Sequence, residues 1–132
     1  VTALQARLAA VESRARLQTE IRVQGERRLP IAIEKELFRI ALEALNNVIK
    51  HANAQRVTVD LRFQDEDVFL KITDDGEGFD PVAAKGSGGM GLLGMEERVQ
   101  RIDGSLIVES APGRGTAVRV QVRDTGTGSA DS

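Results

Sequence analysis

The residues most able to do chemistry in this chain of 132 residues include a carboxylate and an amide four positions apart. Glu43 and Asn47 stand in the run Glu-Ala-Leu-Asn-Asn-Val-Ile-Lys-His, and their spacing places both on one face of a helix. An asparagine oxygen suits Mg²⁺ when phosphate and water supply the other ligands. A nearby carboxylate can orient or deprotonate a reacting group, and Lys50 could meet a phosphate. The alternative is an ordinary solvated helix face.

A second cluster, Asp74-Asp75-Gly76-Glu77-Gly78, directly follows a predicted strand. Glycines let a ligand approach the backbone, and the Asp74 carboxylate can accept a hydrogen bond from an exocyclic amine such as that of adenine. A plain turn is the alternative. A calcium loop of the EF-hand type is excluded, because its ligand spacing and its terminal glutamate are missing.

A third cluster is the glycine-rich run from Gly86 to Gly91, which opens a predicted helix at Leu92. Free N–H groups and the helix dipole favour an anion at such a terminus, so the run could hold phosphate. It is not a Walker motif, since no Lys-Ser/Thr follows the last glycine. It is not a dinucleotide fingerprint, since no strand directly precedes it. A flexible linker remains the alternative.

A fourth cluster, Gly113-Arg114-Gly115-Thr116, lies at a turn into the last predicted strand. Thr116 could place a hydroxyl near the carboxylate of the second cluster. The alternative is a hairpin turn followed by a β-branched strand residue.

The elements that must position these clusters are predicted from hydrophobic periodicity. Helical spacing of apolar residues predicts helices over about 1–15, 31–51 and 92–102. Alternation predicts strands near 19–23, 57–63, 68–72, 106–108 and 118–122. Ile21 and Val23 are expected to point inward, and the glycine-rich stretch 74–91 is expected to be loop. Hairpins with helices between them predict an α+β fold, a two-layer sandwich of a mixed β-sheet with helices on one face.

Composition narrows the class of protein. The length suits one compact domain, and 41% apolar with 29% charged residues is an ordinary soluble composition. A net charge of -2 argues against a general nucleic-acid binder, and the absence of cysteine excludes disulfides. No apolar run approaches the roughly 18 residues that a membrane span needs. We therefore expect a cytoplasmic domain that contacts neither nucleic acid nor membrane, and the start without Met suggests part of a longer protein.

Together the four clusters resemble the ATP-binding domain shared by histidine kinases, gyrase, mismatch-repair ATPases and the large heat-shock chaperones. The resemblance covers about residues 21–122. The matching positions of the N box, the two glycine boxes and the late Gly-Thr pair are Glu43, Asn47, Lys50, His51, Asp74, Gly76, Gly78, Gly89, Gly91, Gly115 and Thr116.

The detailed sequence of the motifs resembles one histidine kinase subfamily, the one that controls LuxR-type response regulators. The runs that carry this likeness are Glu-Ala-Leu-Asn-Asn-Val-Ile-Lys-His-Ala, Gly-Met-Gly-Leu-Leu-Gly-Met-Glu-Glu-Arg-Val and Glu-Ser-Ala-Pro-Gly-Arg-Gly-Thr.

The resemblance implies a Bergerat-type fold that binds ATP and Mg²⁺. It implies that Asp74 binds the adenine amine with Thr116 supporting it through water, that Asn47 ligates Mg²⁺, and that Glu43 assists phosphoryl transfer. Gly76 and Gly78 would belong to the nucleotide site, and residues 79–88 would form a lid. The positions implied to contact the phosphates are Lys50, His51, Gly89, Met90, Gly91 and Leu92.

The resemblance also divides the chain into three parts. Residues 1–18 would be a linker helix from an upstream acceptor domain, 19–124 the ATP-binding catalytic domain, and 125–132 a disordered tail. Because the only histidine, His51, lies in the N box, the phosphoacceptor histidine is expected on an upstream dimerisation domain of a protein that could be membrane-anchored. This fragment should then bind ATP as a monomer without autophosphorylating.

Two other functions fit the same fold. One is a serine kinase of the anti-sigma-factor type, which acts on a partner protein and stands alone at about this length. The other is a non-catalytic nucleotide sensor.

Overall fold

The computed structural model of the chain describes residues 2–15, 17–25, 28–87 and 91–123. Its elements in chain order are α1 (Thr2–Ala15), β1 (Gln18–Gln24), α2 (Ile31–Asn47), a π-helical segment (Val48–Ala52), β2 (Arg56–Gln64), β3 (Asp67–Asp74), α3 (Pro81–Ser87), α4 (Leu92–Arg101), β4 (Ser105–Ser110) and β5 (Thr116–Arg123).

The five strands form one mixed sheet in the order β1-β2-β3-β5-β4. β1 runs parallel to β2, and every other neighbouring pair is antiparallel. β3 is therefore the central strand, and its last residue, Asp74, pairs with Val57 on one side and with Thr116 on the other. The mixed sheet expected from the sequence is confirmed, and its central strand ends among the candidate residues.

Helices cover the apolar face of the sheet. Ile40 and Leu45 of α2 and Met95 of α4 are almost completely buried against it. Burying a side chain of this size stabilises a fold by about 1.5–3 kcal/mol. An ion pair of 2.9 Å between Arg98 and Glu36 joins α4 to α2. The strand residues buried beneath the helices are Val57, Val59, Val68, Leu70, Ile72, Val118, Val120 and Val122.

One expectation was wrong within the stretch 74–91, because residues 81–87 form the helix α3 rather than loop. The physical reason is local. Pro81 occupies the first helical position, where its fixed φ and missing N–H are tolerated. The Asp80 carboxylate accepts hydrogen bonds from the N–H of Val82 at 3.0 Å and of Ala83 at 3.4 Å, as an N-cap residue does.

Two further details differ from the sequence prediction. Ile21 packs against the core as expected, but Val23 is 42% exposed. Val23 lies near the end of an edge strand, opposite Leu61, which is itself only half-buried. The helices therefore cover this part of the sheet less completely. The predicted helix 31–51 is α-helical only to Asn47 and continues as a π-helical segment.

α1 contributes Leu4 and Leu8 to the core. Within the described ranges, no helix is both long and apolar enough to cross a membrane. The tail predicted at residues 125–132 lies outside the described residues.

Candidate functional site

At one end of the covered sheet face, residues from three of the four sequence clusters meet Leu92, which directly follows the remaining cluster. A cavity of about 160 Å³ lies there, between α2, the sheet and the start of α4. Ligand pockets usually measure about 300–1,000 Å³. This cavity is smaller than that range. Its lining residues are Ala44, Asn47, Val48, Ile72, Asp74, Gly78, Phe79, Leu92, Thr116 and Val118.

Asp74 is the charged residue among those that line this cavity. It is the one buried charged side chain among the residues that the structure describes. Burial raises the pKa of the Asp74 carboxyl; the hydrogen bond from the Gly76 N–H, 2.8 Å long, opposes that rise, and the charge of Asp75 adds to it. A buried carboxylate is costly unless hydrogen-bond donors reach it. Asp74 is therefore suited to accept a hydrogen bond from a ligand.

Thr116 stands beside Asp74, since the two are register partners in neighbouring strands. The Thr116 hydroxyl lies 2.8 Å from the Ser110 hydroxyl on β4. Sequence reasoning did not single out Ser110. The signal that could have pointed to it is its place in Glu-Ser-Ala-Pro-Gly, directly before the turn into Thr116.

The apolar walls of the cavity were also missed as site residues. Ala44 and Val48 lie within the predicted helix 31–51, and Ile72 and Val118 lie within predicted strands, so their apolar character indicated only core packing. Phe79 follows the first glycine box directly. These side chains make an apolar slot that ends in polar groups, which is the usual composition of a small-molecule pocket.

Gly78 lets the first glycine box lie against the β4–β5 turn. Its φ of +69° is a conformation that side chains other than glycine rarely adopt, and a Cβ there would collide with the Ala111 carbonyl oxygen. The Gly113 N–H donates a hydrogen bond to the Glu77 carbonyl across the same contact. The loop after β3 is thereby held against the hairpin that carries Thr116.

Gly91 brings the N box and the second glycine box together. It precedes α4 with a φ of +65°, and a Cβ there would stand 2.7 Å from the Glu43 carboxylate oxygen Oε2. Glycine at position 91 thus allows the Glu43 carboxylate to lie against the N-terminus of α4, where the helix dipole favours negative charge. Glu43 is half-buried, one helical turn before Asn47.

Other predicted residues are not gathered into the cavity. Gly76 acts on it only through the hydrogen bond to Asp74. Lys50 is exposed on the π-helical segment and does not line the cavity. The side chain of His51, and the residues Gly89 and Met90, lie outside what the structure describes.

The oxygen ligands available here fit a magnesium ion that binds together with a nucleotide. Among the described residues, no three histidine, cysteine, aspartate or glutamate side chains converge to hold a metal. Mg²⁺ commonly takes one or two protein ligands and completes its shell with phosphate and water. The half-buried Asn47, on the cavity wall, can supply one such oxygen.

A larger depression, of about 520 Å³, lies elsewhere on the sheet. Its lining includes Arg22, Asp60, Lys71 and Arg119, which form one row across the strands. None of the candidate residues of the sequence lines it. Its size alone therefore does not make it the site, and the smaller cavity is where the candidate chemistry converges.

Known proteins share both sequence and fold with this chain. The profile of the family described as histidine kinase-, DNA gyrase B-, and HSP90-like ATPase matches residues 32–126. The chain is 38% identical over 99 residues to the signal transduction histidine-protein kinase/phosphatase DegS of Bacillus subtilis, covering 74% of the chain and 26% of DegS. It is 42% identical over 90 residues to the sensor histidine kinase LiaS of the same organism, covering 68% and 25%. The chain spans about a quarter of the length of these relatives.

Solved structures share the fold at lower identity. The histidine kinase domain of the Erythrobacter litoralis EL346 blue-light activated kinase superposes with a TM-score of 0.74 at 20% identity, covering 92% of this chain and 58% of that one. The Acinetobacter baumannii histidine kinase AdeS gives a TM-score of 0.77 at 15% identity, with coverage of 95% and 64%. At such identities the likeness shows the fold alone.

Proposed function

The chain belongs to the histidine kinase-, DNA gyrase B-, and HSP90-like ATPase family, and from this premise we propose that it binds ATP with Mg²⁺ and donates the γ-phosphoryl group to a histidine. The observation that carries the proposal is the convergence of Asn47, Asp74 and Thr116 on one cavity. These residues come from three distant segments of the chain, and each supplies a hydrogen-bonding group that a nucleotide would need.

The adenine ring is the part of ATP that the cavity fits. The apolar walls would enclose the ring, and the Asp74 carboxylate would accept a hydrogen bond from its amine. Thr116, half-buried beside Asp74, would support the same amine through a water molecule. The lining of the cavity supports this orientation, because its walls are mostly apolar, which suits a flat base better than a charged triphosphate.

The phosphates would leave the cavity toward the start of α4. Gly89, Met90, Gly91 and Leu92 would cradle them with backbone N–H groups, as helix N-termini do. Lys50 and His51 would approach from the π-helical segment, and the exposure of Lys50 leaves its ammonium free to move toward a phosphate. Asn47 would hold Mg²⁺, which supplies charge neutralisation for the triphosphate when it is bound.

Glu43 is the residue proposed to assist the transfer itself. A nitrogen of the acceptor imidazole would form a bond to the γ-phosphorus while the bond from that phosphorus to the β–γ bridging oxygen breaks, and ADP would leave. The proton on the other imidazole nitrogen would be oriented or accepted by the Glu43 carboxylate. The position of that carboxylate beside Gly91, next to the proposed phosphate cradle, supports this role.

The acceptor histidine would lie on an upstream dimerisation domain in the same protein. From there the phosphoryl group would pass to a response regulator, which the wording of the motifs suggests is of the LuxR type. The domain would act in the cytoplasm. DegS and LiaS are described as histidine kinases, which supports the proposal that the acceptor is a histidine.

The first test is calorimetric titration of the 132-residue chain with a non-hydrolysable ATP analogue, with and without Mg²⁺. We expect binding that Mg²⁺ strengthens. Asn47→Ala should remove the strengthening by Mg²⁺ and leave metal-free binding close to that of the wild type. A folded wild-type domain that binds no analogue in either condition would overturn the proposal.

The second test addresses transfer, in the full-length protein with ATP labelled on the γ-phosphorus. Glu43→Gln should still bind the analogue but should label its histidine at least about 100-fold more slowly, the range expected for losing an acid–base group. Wild-type protein that binds ATP but labels a serine, or no residue at all, would replace the histidine kinase with one of the two alternative functions.

A further inference from the structure

The larger depression, of about 520 Å³, lies on the sheet face opposite the helices, called here the open face. Its volume falls within the range usual for ligand pockets, about 300–1,000 Å³. Every residue that lines it belongs to a strand, and all five strands contribute. The charged lining residues are Arg22, Asp60, Arg62, Lys71 and Arg119. Four cations and one carboxylate therefore line this depression, in a chain whose formal net charge is -2.

Lys71 lies at the centre of the open face, directly opposite a like charge. It is half-buried on the central strand, and its register partners are Asp60 on β2 and Arg119 on β5. Like charges directly opposite each other in neighbouring strands destabilise a sheet. None of the ion pairs between described residues involves Lys71. A bound anionic group would therefore offset an unfavourable placement that the sheet itself leaves in place.

The cations toward the two edges of the sheet have partners of their own. Arg22 forms an ion pair of 3.2 Å with Glu20, and Arg119 forms one of 2.7 Å with Glu109. Exposed pairs of this kind stabilise a fold only weakly. A guanidinium group also has five N–H donors, so Arg119 can bind Glu109 and a further carboxylate together. The uncompensated positive charge is thus concentrated at the middle of the open face, around Lys71.

A stacked arginine and an exposed isoleucine lie in the same depression. The Arg62 guanidinium lies over the Phe69 ring, 4.6 Å from the ring centroid. Stacking uses the flat face of the guanidinium, so the N–H donors around its edge stay available to a carboxylate. Ile107, on the edge strand β4, is 56% exposed. Arginine and aromatic side chains are enriched among the residues that dominate binding between proteins.

We propose that the open face binds an acidic segment of another protein. Carboxylates of that segment pair with Lys71 and Arg62, and an apolar side chain between them packs on Ile107. Five strands about 4.8 Å apart make a row about 19 Å long, which an extended segment of roughly six residues spans. This partner is separate from the nucleotide of the proposed function, because the candidate cavity lies on the covered face of the sheet.

The charges on the open face favour a protein segment over a nucleic acid or an anionic lipid surface. Asp60 stands between Arg22 and Lys71 in the same row across the strands. Its carboxylate would repel an unbroken series of phosphates, on which nucleic-acid binding depends. A protein segment can place a neutral residue opposite Asp60 and carboxylates on either side, and such complementarity selects one partner over others.

The test is an NMR titration of the isotope-labelled 132-residue chain with a synthetic peptide. The peptide has about ten residues, Glu alternating with Leu and Ser, and so exceeds the roughly six needed to cross the sheet. We expect saturable shifts of amide signals confined to the strands of the open face. Lys71→Gln should weaken binding about fivefold, the upper end for an ion pair that water can reach. The same peptide with Gln in place of Glu should not bind.

Lys35→Gln is the matched control, since it removes the same charge from an exposed position on α2. It should leave the affinity for the peptide unchanged, and neither lysine variant should change the binding of an ATP analogue. Equal weakening by Lys35→Gln and Lys71→Gln would mean that only net charge matters, and would overturn the proposal. So would a wild type without saturable shifts, or with shifts centred away from the open face.

Two further arms complete the experiment. Should Lys71→Gln fail to fold, Arg119→Gln removes the other member of the like-charged pair and should weaken binding of the acidic peptide to a similar extent. Unchanged affinity in that variant would overturn the proposal. Vesicles of phosphatidylcholine and phosphatidylserine test the lipid alternative. Vesicle binding that is tighter than peptide binding and is lost in Lys71→Gln would assign the open face to a membrane instead.

Discussion

Asp74 and Asp75 are adjacent carboxylates at the end of the central strand, and the fold places them in opposite surroundings. Asp74 continues the alternation of β3 onto the covered face and is buried in the cavity. Asp75 is exposed and accepts hydrogen bonds from the Gln55 N–H at 2.9 Å and the Arg56 N–H at 3.0 Å. One carboxylate faces an apolar pocket, and the other joins β3 to the start of β2.

The pKa values of the two groups move in opposite directions for that reason. Burial raises the pKa of Asp74, whereas the hydrogen bond from the Arg56 N–H lowers the pKa of Asp75. Burial opposes that lowering, and the hydrogen bond from the Gln55 N–H adds to it. A raised pKa means that the empty fold tolerates the Asp74 charge poorly. Asp74 therefore has the character of a binding group kept at some cost in stability, and Asp75 that of a structural group.

The largest expected effect is on nucleotide affinity. Asp74→Asn should weaken the binding of an ATP analogue by roughly 10- to 100-fold, because a hydrogen bond to a charged acceptor contributes about 1.5–3 kcal/mol. Asp75→Asn is the matched control and should change affinity by no more than about twofold, since its contacts lie outside the cavity. Titration calorimetry measures both. Equal losses of affinity in the two variants would contradict a specific role of Asp74 in nucleotide binding.

The next effect is on stability. Asp75→Ala removes both hydrogen bonds to the start of β2 and should lower the free energy of unfolding by about 1–2 kcal/mol, a modest loss because water can reach the freed N–H groups. The measurement is urea unfolding at neutral pH. Asp75→Asn keeps an acceptor oxygen and should lose less. A domain unaffected by Asp75→Ala would show that these bonds do not hold the strand end.

A smaller effect of opposite sign is expected at Asp74. Asp74→Asn keeps an oxygen for the Gly76 N–H and removes a charge that burial disfavours, so the empty domain should melt at a temperature up to roughly 5 °C higher. Differential scanning calorimetry without nucleotide measures this. If the variant instead melts at a lower temperature, Asp74 stabilises the fold as Asp75 does. The distinction between a binding carboxylate and a structural one would then be wrong.

The smallest effects concern pH. The lowered pKa of Asp75 gives stability that is present above its ordinary value of 3.8 and is lost as pH falls through the folded pKa. The raised pKa of Asp74 gives stability that is present below 3.8 and is lost as pH rises through the folded pKa. Urea unfolding across this range should show the Asp75→Asn deficit shrinking on acidification and the Asp74→Asn gain growing as pH rises. Parallel curves for the two variants would contradict the opposite pKa shifts.

Much of the architecture could be read from periodicity. The stripe through Leu37, Ile40 and Ala44 predicted α2, and the alternation at Val57 and Val59 predicted β2, because a buried face imposes its repeat on the residues that supply it. α3 was missed although its signal was present: Asp80-Pro81 is a strong start for a helix, and the surrounding glycines outweighed it. The exposure of Val23 could not be read, since alternation does not tell where the covering helices end.

The sequence alone determined the four clusters and their order, because the chemistry that each can do depends on residue type and local spacing. The tertiary structure decided which of them meet. The parallel pairing of β1 with β2, the close contact of Gly91 with Glu43, and the hydrogen bond from the Phe79 N–H to the Ser110 hydroxyl all join residues far apart in the chain. Local secondary-structure propensity does not determine such contacts, since each depends on how the elements between the two partners pack.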